Sequence, residues 1–103
     1  MEFKDMKAEA LATASNYGER FGITIDKEFA ILKFFEEVGE LSEAILTHDR
    51  KSRPEKLLSQ SESKKKMASE LADVVGMALV LADVLEIDIE KALHDKWGKG
   101  RNQ

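Results

Sequence analysis

Residues 64–85 read KKKMASELADVVGMALVLADVL, a run without proline whose apolar residues return at helical rather than strand spacing. On a wheel with Met67 at 0°, Leu71, Val74, Leu81 and Leu85 fall within roughly 40° of it, so the segment is a helix with a definite apolar face. Two acids interrupt that face. Glu70 comes out at about 300°, between Met77 and Leu81, and Asp73 at about 240°, between Val80 and Val84. The small or polar face belongs instead to Ser69, Ala72, Gly76 and Asp83. Solvation does not explain Glu70 and Asp73 at those angles, because an unpartnered buried carboxylate costs several kcal/mol or takes up a proton. The helix therefore predicts a partner for both acids: Lys or Arg from another helix, a second carboxyl sharing a proton, or a metal ion.

Upstream, Glu36-Glu37-Val38-Gly39-Glu40 is followed by Glu43, in a helix that Asp26 caps and that extends to about Thr47. Ile31, Phe34, Phe35, Val38, Leu41 and Ile45 form its apolar arc. Glu37 and Glu40 project roughly 60° apart, where like charges repel by a few tenths of a kcal/mol even in solvent. Lys33, four residues ahead of Glu37, has the less favourable order for a helical ion pair. A solvated acidic face accounts for this helix taken alone. Together with Glu70 and Asp73, however, Glu37 and Glu40 make two i,i+3 pairs of oxygen donors with no cysteine in the chain and no histidine nearby. Of the three partners a metal fits best, and the donors select a hard cation such as Mg²⁺ or Mn²⁺ over zinc. A di-iron bundle would need Glu-x-x-His, but Ile45 and Lys91 precede His48 and His94 at that spacing. Magnesium held by a partial protein shell keeps positions open for phosphate oxygens and water, so the pattern points to phosphate chemistry.

The rest of the chain extends the helical reading to one all-α domain over 1–103. A first helix spans about Glu2 to Gly18, with Met6, Ala10, Leu11 and Ala14 on one stripe. Residues 48–63 form a long connection, expected to be mobile, with a short turn near Glu55 to Leu58. Asp88 caps a fourth helix through Ile89, Ala92, Leu93 and Trp97 that stops at Gly98, and 99–103 form a frayed tail. The 103 residues carry 16 Lys+Arg against 20 Asp+Glu, a formal net charge of −4, which argues against a protein that coats a nucleic acid polymer. The longest apolar stretch, Val74 to Ala82, is far short of the roughly 20 residues that span a bilayer, and the charged N-terminus does not resemble a signal peptide. With no cysteine, the expected location is the cytoplasm.

EEVGE at 36–40 and Glu70-Leu71-Ala72-Asp73 resemble the EExxE…ExxD signature of the MazG-like, all-alpha nucleoside triphosphate pyrophosphohydrolases, a likeness extending over about Phe29 to Arg101. The resemblance implies a four-helix-bundle-like MazG fold and a Mg²⁺-dependent hydrolase that cleaves a nucleoside triphosphate between the α and β phosphates, giving a monophosphate and pyrophosphate. It implies Glu37, Glu40, Glu70 and Asp73 as metal ligands and catalytic residues, with Mn²⁺ as a possible substitute ion. Glu36 points farther from the apolar arc and is left out of the ligand set. The family's Lys-x-x-x-Asn-Arg pattern suggests phosphate contacts from Lys96 and Arg101, although Gly100 stands where Asn would be. Compensation of the helix dipole accounts for Lys96 equally well.

Other features admit plain readings. Trp97 can stack on a base, but its spacing from Leu93 fits core or interface better. Arg50, Lys51, Arg53 and Lys56, with Lys64 to Lys66, can draw in triphosphate, yet also read as a solvated loop. His48 can approach a nucleotide, but fits the negative end of its helix better. The third helix is apolar nearly all round from Val74 to Leu85, more than one chain of this length covers, which predicts a homodimer or a dimer of dimers. Two alternatives remain open: a phosphoribosyl-ATP pyrophosphohydrolase, and a non-catalytic helical dimerisation module whose acids pair with Lys and Arg.

Overall fold

A computed structural model describes residues 1–98, and they are all-helical: α1 (Phe3–Phe21), α2 (Lys27–His48), a 3₁₀ turn (Pro54–Lys56), α3 (Gln60–Val84) and α4 (Ile89–Leu93), which runs into a π turn (His94–Gly98). Glu2 and Asp5 form a reciprocal cap at the start of α1. This helix continues past Gly18, where the sequence suggested an end. Gly18 is buried inside it, and a Cβ there would stand 2.7 Å from the Ile23 carbonyl oxygen, so the residue serves a close approach of the returning chain. The stop is Gly22, left-handed at φ 66°, beyond which the Ile23 N–H donates to Gly18 O at 2.9 Å.

Asp26 caps α2 as expected, its Oδ1 accepting the Phe29 N–H at 2.9 Å. α3 begins at Gln60, earlier than the apolar pattern indicated, because Ser59 Oγ accepts the Glu62 N–H at 3.1 Å while Glu62 Oε1 accepts the Ser59 N–H at 3.2 Å. The connection is tied at several points: Thr47 and Ser52 hydroxyls lie 3.2 Å apart, Arg50 donates to Leu58 O at 3.3 Å, and His48 Nδ1 lies 2.7 Å from Ser63 Oγ. Asp88 caps α4 by accepting the Lys91 N–H at 3.0 Å.

α2 and α3 form the principal pair, α1 lies across α3, and α4 packs mainly on the turn that follows it. Among the described residues the buried apolar side chains are few and mostly small: Ala30, Ala44, Leu79, Val80 and Ala82. Burial on α3 therefore departs from the wheel. Its C-terminal half is enclosed at Leu79, Val80 and Ala82, whereas Leu71, Val75 and Leu85 are exposed. On α2, Leu32 and Phe35 are 61% and 60% exposed. The radius of gyration is 16.2 Å, against about 13 Å for a compact chain of this length. The accessible surface, 7760 Å², exceeds the roughly 5,800 Å² of a folded monomer of this mass. No helix among the described residues is long and apolar enough to cross a membrane.

Candidate metal centre

Facing turns of α2 and α3 bring Glu37, Glu70 and Asp73 together, one carboxylate oxygen from each lying within 4.8 Å of the others. Glu37 and Glu70 are only 9% and 6% exposed, so the wheel placed Glu70 correctly. Asp73 is a correction: it is exposed in the protomer. The wheel gave its angle on α3 but not what lies opposite, which is an open cleft beneath α1 rather than packed side chains. Glu40 is exposed and belongs to a second group, Glu36, Glu37 and Glu40, with the same mutual spacing. Glu37 is common to both groups, and Glu36, left out of the expected ligand set, falls in the second.

The charges of the two buried acids are only half answered. Lys33 Nζ binds Glu36 Oε1 and stands 3.7 Å from Glu37 Oε1, while Lys66 Nζ lies 3.0 Å from Glu70 Oε1. Each lysine precedes its glutamate by four residues, so the same Lys-x-x-x-Glu register recurs on both helices. Glu37 Oε2 and Glu70 Oε2 are buried and accept no hydrogen bond from any of the described residues. Burial, then the nearby charges of Glu40 and Asp73, push the Glu37 carboxyl above its ordinary value against the pull of Lys33. A proton shared with Glu40 would relieve Glu37 but leave Glu70 unanswered. A divalent cation between the helices would answer both orphaned oxygens at once, and this all-carboxylate donor set would suit a hard ion.

Two cavities flank the centre. One, about 370 Å³, lies under α1; it carries Glu37 and Asp73 on its wall and is otherwise lined largely by apolar and aromatic groups, including Tyr17 and Phe29. The other, about 470 Å³, carries Glu40 and Glu70 beside Lys56, Lys66, Thr47 and Ser63. Lys56 reaches it from the 3₁₀ turn, its Nζ 3.3 Å from Glu43 Oε1. Sequence reasoning noted Lys33 and the 64–66 lysines without assigning them to the centre; the repeated i−4 register was the signal. Neither cavity is lined by Lys96, which is exposed on the π turn, and Arg101 lies outside the described residues. Trp97, also on that turn, is 72% exposed.

The profile of a family described as "MazG nucleotide pyrophosphohydrolase domain" matches residues 25–102, a span that includes all four carboxylates. The chain is 33% identical over 98 residues to the uncharacterized protein YvdC of Bacillus subtilis (strain 168), covering 89% of this chain and 92% of that protein. No solved structure matches it.

Proposed function

Because the chain belongs to the MazG nucleotide pyrophosphohydrolase family, we propose that it hydrolyses nucleoside triphosphates at the α–β bond, with Mg²⁺ held by Glu37, Glu70 and Asp73 and by Glu40 through its proximity to Glu37. One observation carries this reading: two buried carboxylate oxygens, one on each of two packed helices, have no hydrogen-bond partner among the described residues. Mn²⁺ suits the same donors. When bound, the ion supplies charge neutralisation at phosphate oxygens and acidifies water. The lysines then have a defined task. With the carboxylates holding an ion, the Lys33 and Lys66 ammonium groups would be free to bind phosphate oxygens and to counter charge on the departing pyrophosphate. Lys96 and Arg101 are assigned further phosphate contacts.

The test is incubation with Mg²⁺ and a panel of nucleoside triphosphates, with phosphoribosyl-ATP beside them. Monophosphate with pyrophosphate is the expected outcome, whereas diphosphate with orthophosphate would place cleavage at the wrong bond. Glu70→Gln should lower turnover by about two orders of magnitude or more while the protein stays folded. The Lys33 and Lys66 ion pairs favour a second reading, a dimerisation module whose acids need no ion. A magnesium titration without effect on melting temperature, with assembly intact, would support it.

Self-association belongs to the proposal. The surface in excess of a compact monomer, roughly 1,900 Å², is of the size each copy gives up in an obligate dimer, and exposed Leu32, Phe35, Leu71 and Val75 are suited to that contact. The assembly is a homodimer or a dimer of dimers, without a nucleic acid polymer or membrane as partner, and the cysteine-free chain suits the cytoplasm.

A further inference from the structure

Ser63 is the most deeply buried polar side chain among the described residues, 1% exposed, and it is held from two sides. Its Oγ lies 3.1 Å from the Gln60 carbonyl oxygen and 2.7 Å from His48 Nδ1. A hydroxyl has one proton to give, and a carbonyl oxygen only accepts. With that proton on the path to Gln60 O, the 2.7 Å contact needs a hydrogen on His48 Nδ1. With it pointed at His48, two acceptor oxygens face each other at 3.1 Å. Only the first arrangement satisfies both contacts. We propose that His48 is a positioning residue: with a hydrogen on Nδ1 it clasps Ser63, and the clasp fixes Lys56 and Lys66 where they meet the phosphates of a substrate; this rests on the pyrophosphohydrolase reading above.

The clasp stands where the two pieces of chain that carry those lysines begin. On α3, Lys66 follows Ser63 by three residues and shares its face. On the other side, His48 ends α2 and opens the connection. Arg50 turns the chain with a left-handed backbone, φ 61°, and its Nη1 donates to Leu58 O at 3.3 Å. Glycine would hold that conformation without strain, and the bond across the connection gives a reason for arginine instead. Gln60 Nε2 reaches back to His48 O at 3.5 Å, and the Thr47 and Ser52 hydroxyls meet nearby. The 3₁₀ turn inside this closed strap presents Lys56, so Lys56, Lys66 and Ser63 share one cavity wall with Glu40 and Glu70. Among the described residues, His48 and Ser63 make the one hydrogen bond between a side chain of α2 and a side chain of α3.

A lysine ammonium is a point charge on a flexible stem, so where it stands depends on how firmly its backbone is held. Lys66 and Lys56 are each steadied by one carboxylate, Glu70 at 3.0 Å and Glu43 at 3.3 Å. Both of those side-chain pairs are partly exposed on the lysine side and hold weakly by themselves. The buried bond between His48 and Ser63 is what joins their two backbones. Without it the strap and the first turn of α3 separate, both cations spread over more positions, and phosphate binding weakens through the cost of ordering them again. Glu37, Glu40, Glu70 and Asp73 are untouched by that change.

The test uses the whole protein in its native assembly. At alkaline pH, with the ring deprotonated, long-range proton–nitrogen NMR correlations should find the hydrogen of His48 on Nδ1 and none on Nε2; the reverse would overturn the proposal. His48→Ala and Ser63→Ala should each raise KM for the best-cleaved triphosphate, and Kd for inorganic pyrophosphate with Mg²⁺, by about tenfold. In both variants kcat and the Kd for Mg²⁺ alone should stay within about twofold of the wild type. The double variant should be no worse than either single one. His48→Asn, whose amide donor stands near the place of Nδ1, should restore wild-type values, whereas His48→Gln, which carries it toward the place of Nε2, should not. A histidine with only a structural role would lower kcat, Mg²⁺ binding and melting temperature together, without telling Asn from Gln, and that result overturns the proposal. Pyrophosphate calorimetry needs no turnover. If its Kd follows the pattern and no triphosphate is cleaved, the hydrolase reading falls and the clasp stands. If triphosphates are cleaved but the variants move neither KM nor Kd, the clasp falls and the hydrolase reading stands. Absence of both pyrophosphate binding and cleavage overturns both.

Discussion

Glu37 sets stability against the proposed function on one side chain. Its carboxyl is raised by burial first and by Glu40 and Asp73 after that, so the folded protein binds this proton more tightly than the unfolded chain does. The stability it contributes is complete below the ordinary carboxyl range and is lost as pH rises through its folded value. Ionising Glu37 therefore costs the metal-free protein stability, which Lys33 at 3.7 Å only partly offsets. Glu37→Gln should melt at a higher temperature than the wild type without metal at neutral pH, the gap narrowing as pH falls into the carboxyl range, and should lose activity. Thermal melts across pH with a chelator present check this; a lower melting temperature for the variant at neutral pH would mean that the Lys33 contact outweighs burial. Magnesium at a hundred times its Kd should stabilise the wild type by about 2.7 kcal/mol and Glu70→Gln by far less.

Among the elements, helix starts were legible where a cap stands next to an apolar stripe. Asp26 and Asp88 could be read directly, because a short carboxylate before a helical pattern has one obvious use. The start of α3 was hidden since Ser59 and Glu62 sit within the polar run HDRKSRPEKLLSQSES, where a capping box looks like loop composition. Gly18 misled for a different reason: a glycine that admits a neighbouring carbonyl looks, in one dimension, like one that ends a helix. Glu70 was legible from its own helix, whereas the exposure of Asp73 depends on how α1 crosses α3, which no wheel contains. Ser59→Ala should cost about 1 kcal/mol in denaturant unfolding by removing the cap of α3. Glu86 follows α3 at φ 58°, with the Ile87 N–H donating to Ala82 O at 2.8 Å. Glu86→Gly should stabilise the fold by about 0.5–1 kcal/mol, since a left-handed residue with a Cβ is strained there.

The described residues enclose a small core for a chain of this length. Among the described residues five apolar side chains are buried, three of them alanine, which predicts that folding and assembly are one equilibrium. The melting temperature should rise with protein concentration, and light scattering should find no stable monomer at micromolar concentration. A well-folded monomer there would refute the assembly proposal. Leu32 and Phe35 lie some 140–160° around α2 from Glu37, so one helix turns oily side chains outward and the buried acid inward. The proposed subunit contact and the proposed ion site would thus share a single helix. A compound wedged between copies would silence the enzyme from behind, emptying the population of competent molecules without ever competing for the nucleotide, and Phe35→Asp should reproduce that inhibition genetically.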